Sequence, residues 1–230
     1  MTIAVAVRKG GQTVIAADTQ SNFGHNRAPL RNHRTQKILT LGGNYLATSG
    51  WGLYANILND FLARKRTPKL DGEGDVFRFF QAFWKALHEQ YTMVNDQCQN
   101  EEERSPFGDL DASFLLVNGA GIFFVSSDTS VTAFQQYYAV GSGAEFALGA
   151  LHALYDGDLD AETLARRACA AAMAFNVYCG GEVDVCRVGD TPVRGRRMAG
   201  PDRAGLAGGI AADGEDEIES RRRWDGVRAE

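Results

Sequence analysis

A chain of 230 residues is long enough for one domain with a real core, or for a domain and an appendage. Its hydrophobic share of 44% is that of an ordinary water-soluble globular protein. A net charge of −5 offers nothing to nucleic acid or an anionic membrane surface, and no apolar run approaches the roughly 20 residues of a membrane span.

The segments TIAVAV (2–7) and TVIAAD (13–18) are short and rich in β-branched residues, and the Gly10-Gly11 between them predicts a hairpin. Residues 21–36 are polar and basic, punctuated by Gly24 and Pro29, and read as a loop. KILTL (37–41) and NYLATS (44–49) form a second hairpin across Gly42-Gly43. From Trp51 the period changes: Leu53, Ile57, Leu58, Phe61 and Leu62 share one face of a first helix. Residues 64–74 break it, and Val76, Phe79, Phe80, Phe83, Leu87, Tyr91 and Val94 stripe a second, longer helix. Strands return at 112–118, 121–127 and 136–140. Gly141-Ser142-Gly143 then leads into a third helix from Ala144. A fourth begins with Asp160 as N-cap and Glu162 in its first turn and runs to about Asn176, and EVDVCRV (182–188) is the last strand.

Helices in pairs between blocks of strands exclude the alternation of a doubly wound sheet. The expected class is α+β: a four-layer α/β/β/α sandwich of two stacked antiparallel sheets with a helix pair outside each. Residues 1–188 form this domain. Residues 189–230 are rich in Gly, Arg, Asp and Glu, bury too little apolar surface to offset their ordering entropy, and are expected to be a disordered tail.

The second residue is a threonine, followed at once by a strand. An N-terminal threonine carries a nucleophile and, in its α-amine of ordinary pKa about 7.7–8.0, a base. Methionine is readily removed before a side chain this small. Met-Thr alone is a common beginning, so the surroundings must carry the argument. TIAVAV…VIAAD, then QKILTL, then a strand ending in Ser-Gly before a helix, then AVGSG, resemble the proteasome β-type threonine peptidases. These are N-terminal-nucleophile hydrolases, and the resemblance spans residues 2–188. Its short leader is most like the bacterial members, such as the betaproteobacterial proteasome homologue.

The resemblance implies a threonine endopeptidase subunit in which Thr2 is the nucleophile. Asp18, sixteen residues further on, and Lys37 tune it, the ammonium lowering the hydroxyl's pKa and the carboxylate holding the lysine. Gly50 supplies an oxyanion N–H, Ser142 bonds the terminal amine, and Gly143, Asn176 and Cys179 support them. By themselves, Gly50 and Gly-Ser-Gly also suit plain helix-entry turns.

Two positions depart from the family pattern. Asn176 stands where an aspartate is usual, and Cys179 where a serine is. An asparagine can still hydrogen-bond Ser142 or the amine but brings no charge, and a thiol is a weaker partner than a hydroxyl. The 18–37 linker is also a few residues longer than usual. These departures motivate an alternative: a weak or inactive ring-forming, chaperone-like homologue.

The resemblance further implies a self-compartmentalised double ring of identical subunits, unfolded polypeptide as substrate, and a possible ATPase unfoldase. No cofactor, metal, nucleic acid or membrane is implied. With no secretory signal, the expected location is the cytoplasm. The histidines His25, His33, His88 and His152 lack ligand spacing. Cys98, Cys169 and Cys186 read as reduced, buried small hydrophobes.

Overall fold

The computed structural model describes residues 2–30, 32–64, 68–91 and 110–189. Its strands and helices, in chain order, are β1 (Ile3–Lys9), β2 (Gln12–Asp18), β3 (Asn22–Phe23), β4 (Asn26–Arg27), β5 (Ile38–Leu41), β6 (Asn44–Gly50), α1 (Gly52–Ala63), α2 (Glu73–Gln90), β7 (Ala112–Val117), β8 (Ile122–Val125), β9 (Val131–Phe134), β10 (Tyr137–Gly141), α3 (Ala144–Leu154), α4 (Ala161–Phe175) and β11 (Val183–Arg187). One sheet runs β10-β1-β2-β11, a second β5-β6-β7-β8-β9, and every pairing is antiparallel.

Side-chain alternation along the strands explains the layering. Ile3, Val5 and Val7 of β1 pack with Ala147 and Leu151 of α3 and Leu164, Ala165 and Ala168 of α4. Ala4 and Ala6, on the other face, pack with Tyr45, Ala47, Leu115 and Val117 of the second sheet. That sheet's opposite face brings Leu46, Phe114 and Leu116 onto Phe61 of α1 and Phe80 and Phe83 of α2. A strand covered on both faces is apolar at successive positions, which is why TIAVAV reads as an unbroken run. The predicted α/β/β/α sandwich is the observed one.

Three details differ from the sequence reading. Inside the polar 21–36 stretch the chain makes a two-residue ribbon, β3 with β4. An additional strand, β9, pairs with β8 at the sheet edge. On α1, Leu53 is exposed and Tyr54 takes its place in the core. The helix therefore turns its face slightly from the one the pattern selects. Asp160 caps α4 as expected, its Oδ1 accepting the Thr163 N–H at 2.7 Å. Val94, Cys98 and the tail from 190 onward lie outside the described residues.

Candidate active site

Strand register places the chemistry at one end of the first sheet. Ile3 is opposite Gly141 across β1 and β10, Ala4 is opposite Ala17 across β1 and β2, and Val183 is opposite Asp18 across β11 and β2. Thr2, the end of β2, the end of β10 and the start of β11 therefore meet. Thr2 is buried, with 4% of its surface exposed.

Asp18 is fully buried and organises this end. Its Oδ1 accepts the Ile3 N–H at 3.0 Å and Lys37 Nζ at 2.7 Å, and its Oδ2 accepts the Gly180 N–H at 3.0 Å. The Lys37 side chain is 6% exposed, so the pair is an interior one. Lys37 immediately precedes β5, and the salt bridge joins the two sheets. Three donors, one of them the Lys37 ammonium, replace the water that the buried carboxylate has lost.

Ser142 Oγ lies 3.5 Å from the Thr2 carbonyl oxygen and 3.8 Å from Cys179 Sγ. Gly141, next to it, has φ +108°, and a Cβ there would sit 2.0 Å from the Thr2 oxygen. Only glycine permits so close an approach in that conformation. A Cβ on Gly143 would come within 2.8 Å of Ala172 Cβ and 3.0 Å of Cys179 Sγ. Asn176, C-cap of α4, donates through Nδ2 to the Ser142 carbonyl while its Oδ1 accepts the Tyr178 N–H at 2.9 Å. Burial pushes the Cys179 thiol above its ordinary pKa, against a smaller opposite pull from the contact with Ser142. It rests as a neutral thiol at physiological pH.

Gly50 ends β6 in the second sheet, opposite Ala112 of β7. Its φ is +123°, and a Cβ would lie 2.1 Å from the Asp111 carbonyl oxygen. The β5–β6 register, Ile38 opposite Ala47, puts Gly50 at the same end of that sheet as Lys37.

Ser142 thus touches Thr2 and Cys179 and is bonded by Asn176, Gly143 packs beside Cys179, Lys37 pairs with Asp18, and Asp18 reaches this group through the Ile3 and Gly180 N–H groups; Gly50 stands on the facing sheet. The sequence reading missed the part played by Gly180 and by the approach of Gly141. Both glycines sit in segments that attracted attention, GSG and CGG, but only the folded register shows what their backbones touch.

Elsewhere two of the histidines make local contacts. His88 Nδ1 is 3.0 Å from the Trp84 carbonyl oxygen, and His33 Nε2 is 3.1 Å from Thr35 Oγ1. Among the described residues no group of three or more His, Cys, Asp or Glu is arranged to hold a metal ion. Nor, among them, is any helix long and apolar enough to cross a membrane.

A four-layer sandwich of this topology is the N-terminal-nucleophile hydrolase fold. No family model matches the chain. Individual proteins do. The BPH of Thiobacillus denitrificans is 32% identical, with a TM-score of 0.72, covering 83% of this chain and 99% of that one. The same protein, also solved in complex with epoxomicin, aligns with a TM-score of 0.71. The ATP-dependent protease subunit HslV of Bartonella quintana is 30% identical over 178 residues, 77% of this chain and 83% of the relative. The proteasome subunit beta of Nanoarchaeum equitans is 24% identical over 188 residues, 80% of this chain and 91% of the relative. The chain belongs to the proteasome β-type and HslV family of threonine peptidases.

Proposed function

We propose that the protein is a threonine endopeptidase subunit whose nucleophile is Thr2, exposed by removal of Met1. The observation that carries this reading is the bifurcated Oδ1 of Asp18. It holds Lys37 Nζ at 2.7 Å and, at 3.0 Å, the N–H of the residue directly after Thr2. One buried carboxylate thereby sets the position of both the strand tip and the ammonium.

In the reaction, the Thr2 Oγ–H gives its proton to the neutral α-amine as Oγ bonds to the scissile carbonyl carbon. The carbonyl electron pair moves onto oxygen, and the Gly50 N–H stabilises that oxyanion. Lys37 favours the developing alkoxide electrostatically and Asp18 keeps Lys37 in place. When the tetrahedral species collapses, the C–N bond breaks and the leaving amine takes the proton from the Thr2 ammonium. The acyl ester is then cleaved by water, which the same amine deprotonates, releasing the new carboxyl terminus and restoring Thr2.

The family supports placing this subunit in a cytoplasmic double ring of identical chains. The name of the HslV relatives, subunits of an ATP-dependent protease, supports unfolded polypeptide as substrate and an ATPase as its supplier. The direct test combines intact mass with a probe of the nucleophile. Mature protein is expected to lack Met1, to add one epoxomicin at Thr2, and to degrade unfolded casein. Protein with a free Thr2 that is neither labelled nor active overturns the proposal. One observation favours a second reading, an inactive ring-forming homologue: Asn176 and Cys179 replace the family's aspartate and serine. Retention of Met1 in protein from the native host is its signature, because the base is then blocked.

A further inference from the structure

Asn176 makes four polar contacts, and their directions are informative. Its backbone N–H donates to the Ala172 carbonyl at 2.9 Å, ending α4, and its carbonyl accepts the Cys179 N–H at 3.0 Å. Its side-chain Oδ1 accepts the Tyr178 N–H at 2.9 Å, and Nδ2 donates to the Ser142 carbonyl. The two side-chain partners are a donor and an acceptor, so only one orientation of the amide satisfies both. Two contacts tie the 176–179 turn to itself, one joins it to α4, and the fourth reaches across to the residue whose Oγ faces the Thr2 carbonyl.

We propose that Asn176 is a positioning residue that acts through the polarity of its amide, and that aspartate cannot replace it. An ionised carboxylate is acceptor-only. It would still accept the Tyr178 N–H, but its second oxygen would face the Ser142 carbonyl oxygen, turning an attraction into a repulsion. The segment most exposed to that change is Gly141–Gly143. Gly141 lies against the Thr2 oxygen with no room for a Cβ, and Gly143 is packed against Ala172 and Cys179. Displacing Ser142 therefore moves atoms that touch the nucleophilic residue.

The inference rests on the peptidase reading for its effect on rate, so the test has one arm that depends on activity and one that does not. Asn176→Asp is close to isosteric and keeps the turn's acceptor. In wild-type and variant proteins, epoxomicin inactivation and peptide hydrolysis give the split between rate and affinity. The limiting rate is expected to fall roughly tenfold or more with KM changed by less than about twofold, as for a displaced catalytic group. Hydrogen exchange by mass spectrometry follows the backbone of residues 138–146, and exchange there is expected to quicken in Asn176→Asp while β1 and β2 keep wild-type protection.

A variant with wild-type rates, or with unchanged exchange at 138–146, overturns the proposal. Wild-type protein that is inert towards epoxomicin overturns the peptidase reading instead, and the exchange arm still decides whether Asn176 holds Ser142. Asn176→Ala separates loss of a bond from repulsion: it is expected to be less impaired than Asn176→Asp, and equal impairment of the two counts against the polarity argument.

Discussion

Asp18 receives three hydrogen bonds on two oxygens, and each donor belongs to a different part of the chain. Ile3 N–H comes from β1, Lys37 Nζ from the residue before β5, and Gly180 N–H from the turn before β11. Removing one donor leaves a buried charge short of a partner, which is more damaging than never having buried it. Lys37→Met is therefore expected to lower stability by about 3 kcal/mol, at the modest end for a broken interior pair, since two backbone donors remain. Urea unfolding should show this as a shifted midpoint with an unchanged slope. Epoxomicin labelling of Thr2 in the same variant, measured where it is still folded, is expected to fall by roughly 100-fold as the ammonium is lost from beside the nucleophile. Wild-type labelling with reduced stability would make the pair purely structural.

Among the elements, α4 presents the clearest dependence on a single side chain. Asp160 accepts the Thr163 backbone N–H, and this bond holds its carboxyl below the ordinary 3.8. A folded pKa below the unfolded one adds stability above the ordinary value, and that stability is lost as pH falls through the folded pKa. Asp160→Ala is expected to unfold at lower urea than wild type at pH 7, with the gap narrowing below about pH 4; Asp160→Asn, which keeps an acceptor but does not titrate, should hold the same margin over Asp160→Ala at both pH values. Urea midpoints at the two pH values decide it.

Capping of this kind is local chemistry, and Asp160 was visible in the sequence. So were the strands, helices and layer order, because their residues obey a period that burial enforces on either side. What escaped prediction obeys no such period. β9 (VTAF) is a half-exposed edge strand with no continuous buried face. The β3–β4 ribbon is anchored from afar, through Gln20 Nε2 to the Val177 carbonyl and Asn22 Nδ2 to the Tyr178 carbonyl, each at 3.0 Å. At the candidate site, residue types and order pointed to Thr2, Asp18 and Lys37. The contributions of Gly141 and Gly180 are made by backbone atoms, whose neighbours only the register reveals.

At the scale of the whole molecule, the described residues leave an apolar patch uncovered. Phe146 of α3 and Phe175 of α4 stack with ring centroids 5.5 Å apart at 26°, yet Phe175 is 73% exposed and Val177, two residues on, is 81% exposed. A stacked aromatic pair beside a bare valine on the outer helix layer is costly in water for a lone subunit and cheap once covered by another copy. The proposed ring assembly then makes a connected prediction. Sedimentation velocity and native mass spectrometry are expected to find the wild-type chain chiefly as a large closed oligomer, stable to dilution. Replacing both rings, Phe146→Ser with Phe175→Ser, is expected to shift the population towards single chains whose circular dichroism matches wild type, since neither side chain is in the core. Asn176 lies between Phe175 and Val177, so loss of the contact should also slow epoxomicin labelling of Thr2 in the dissociated chains. A wild-type protein that sediments as a single chain and is nevertheless labelled at Thr2 would overturn the ring and leave the nucleophile standing, because the residues that Asp18 gathers all come from one polypeptide.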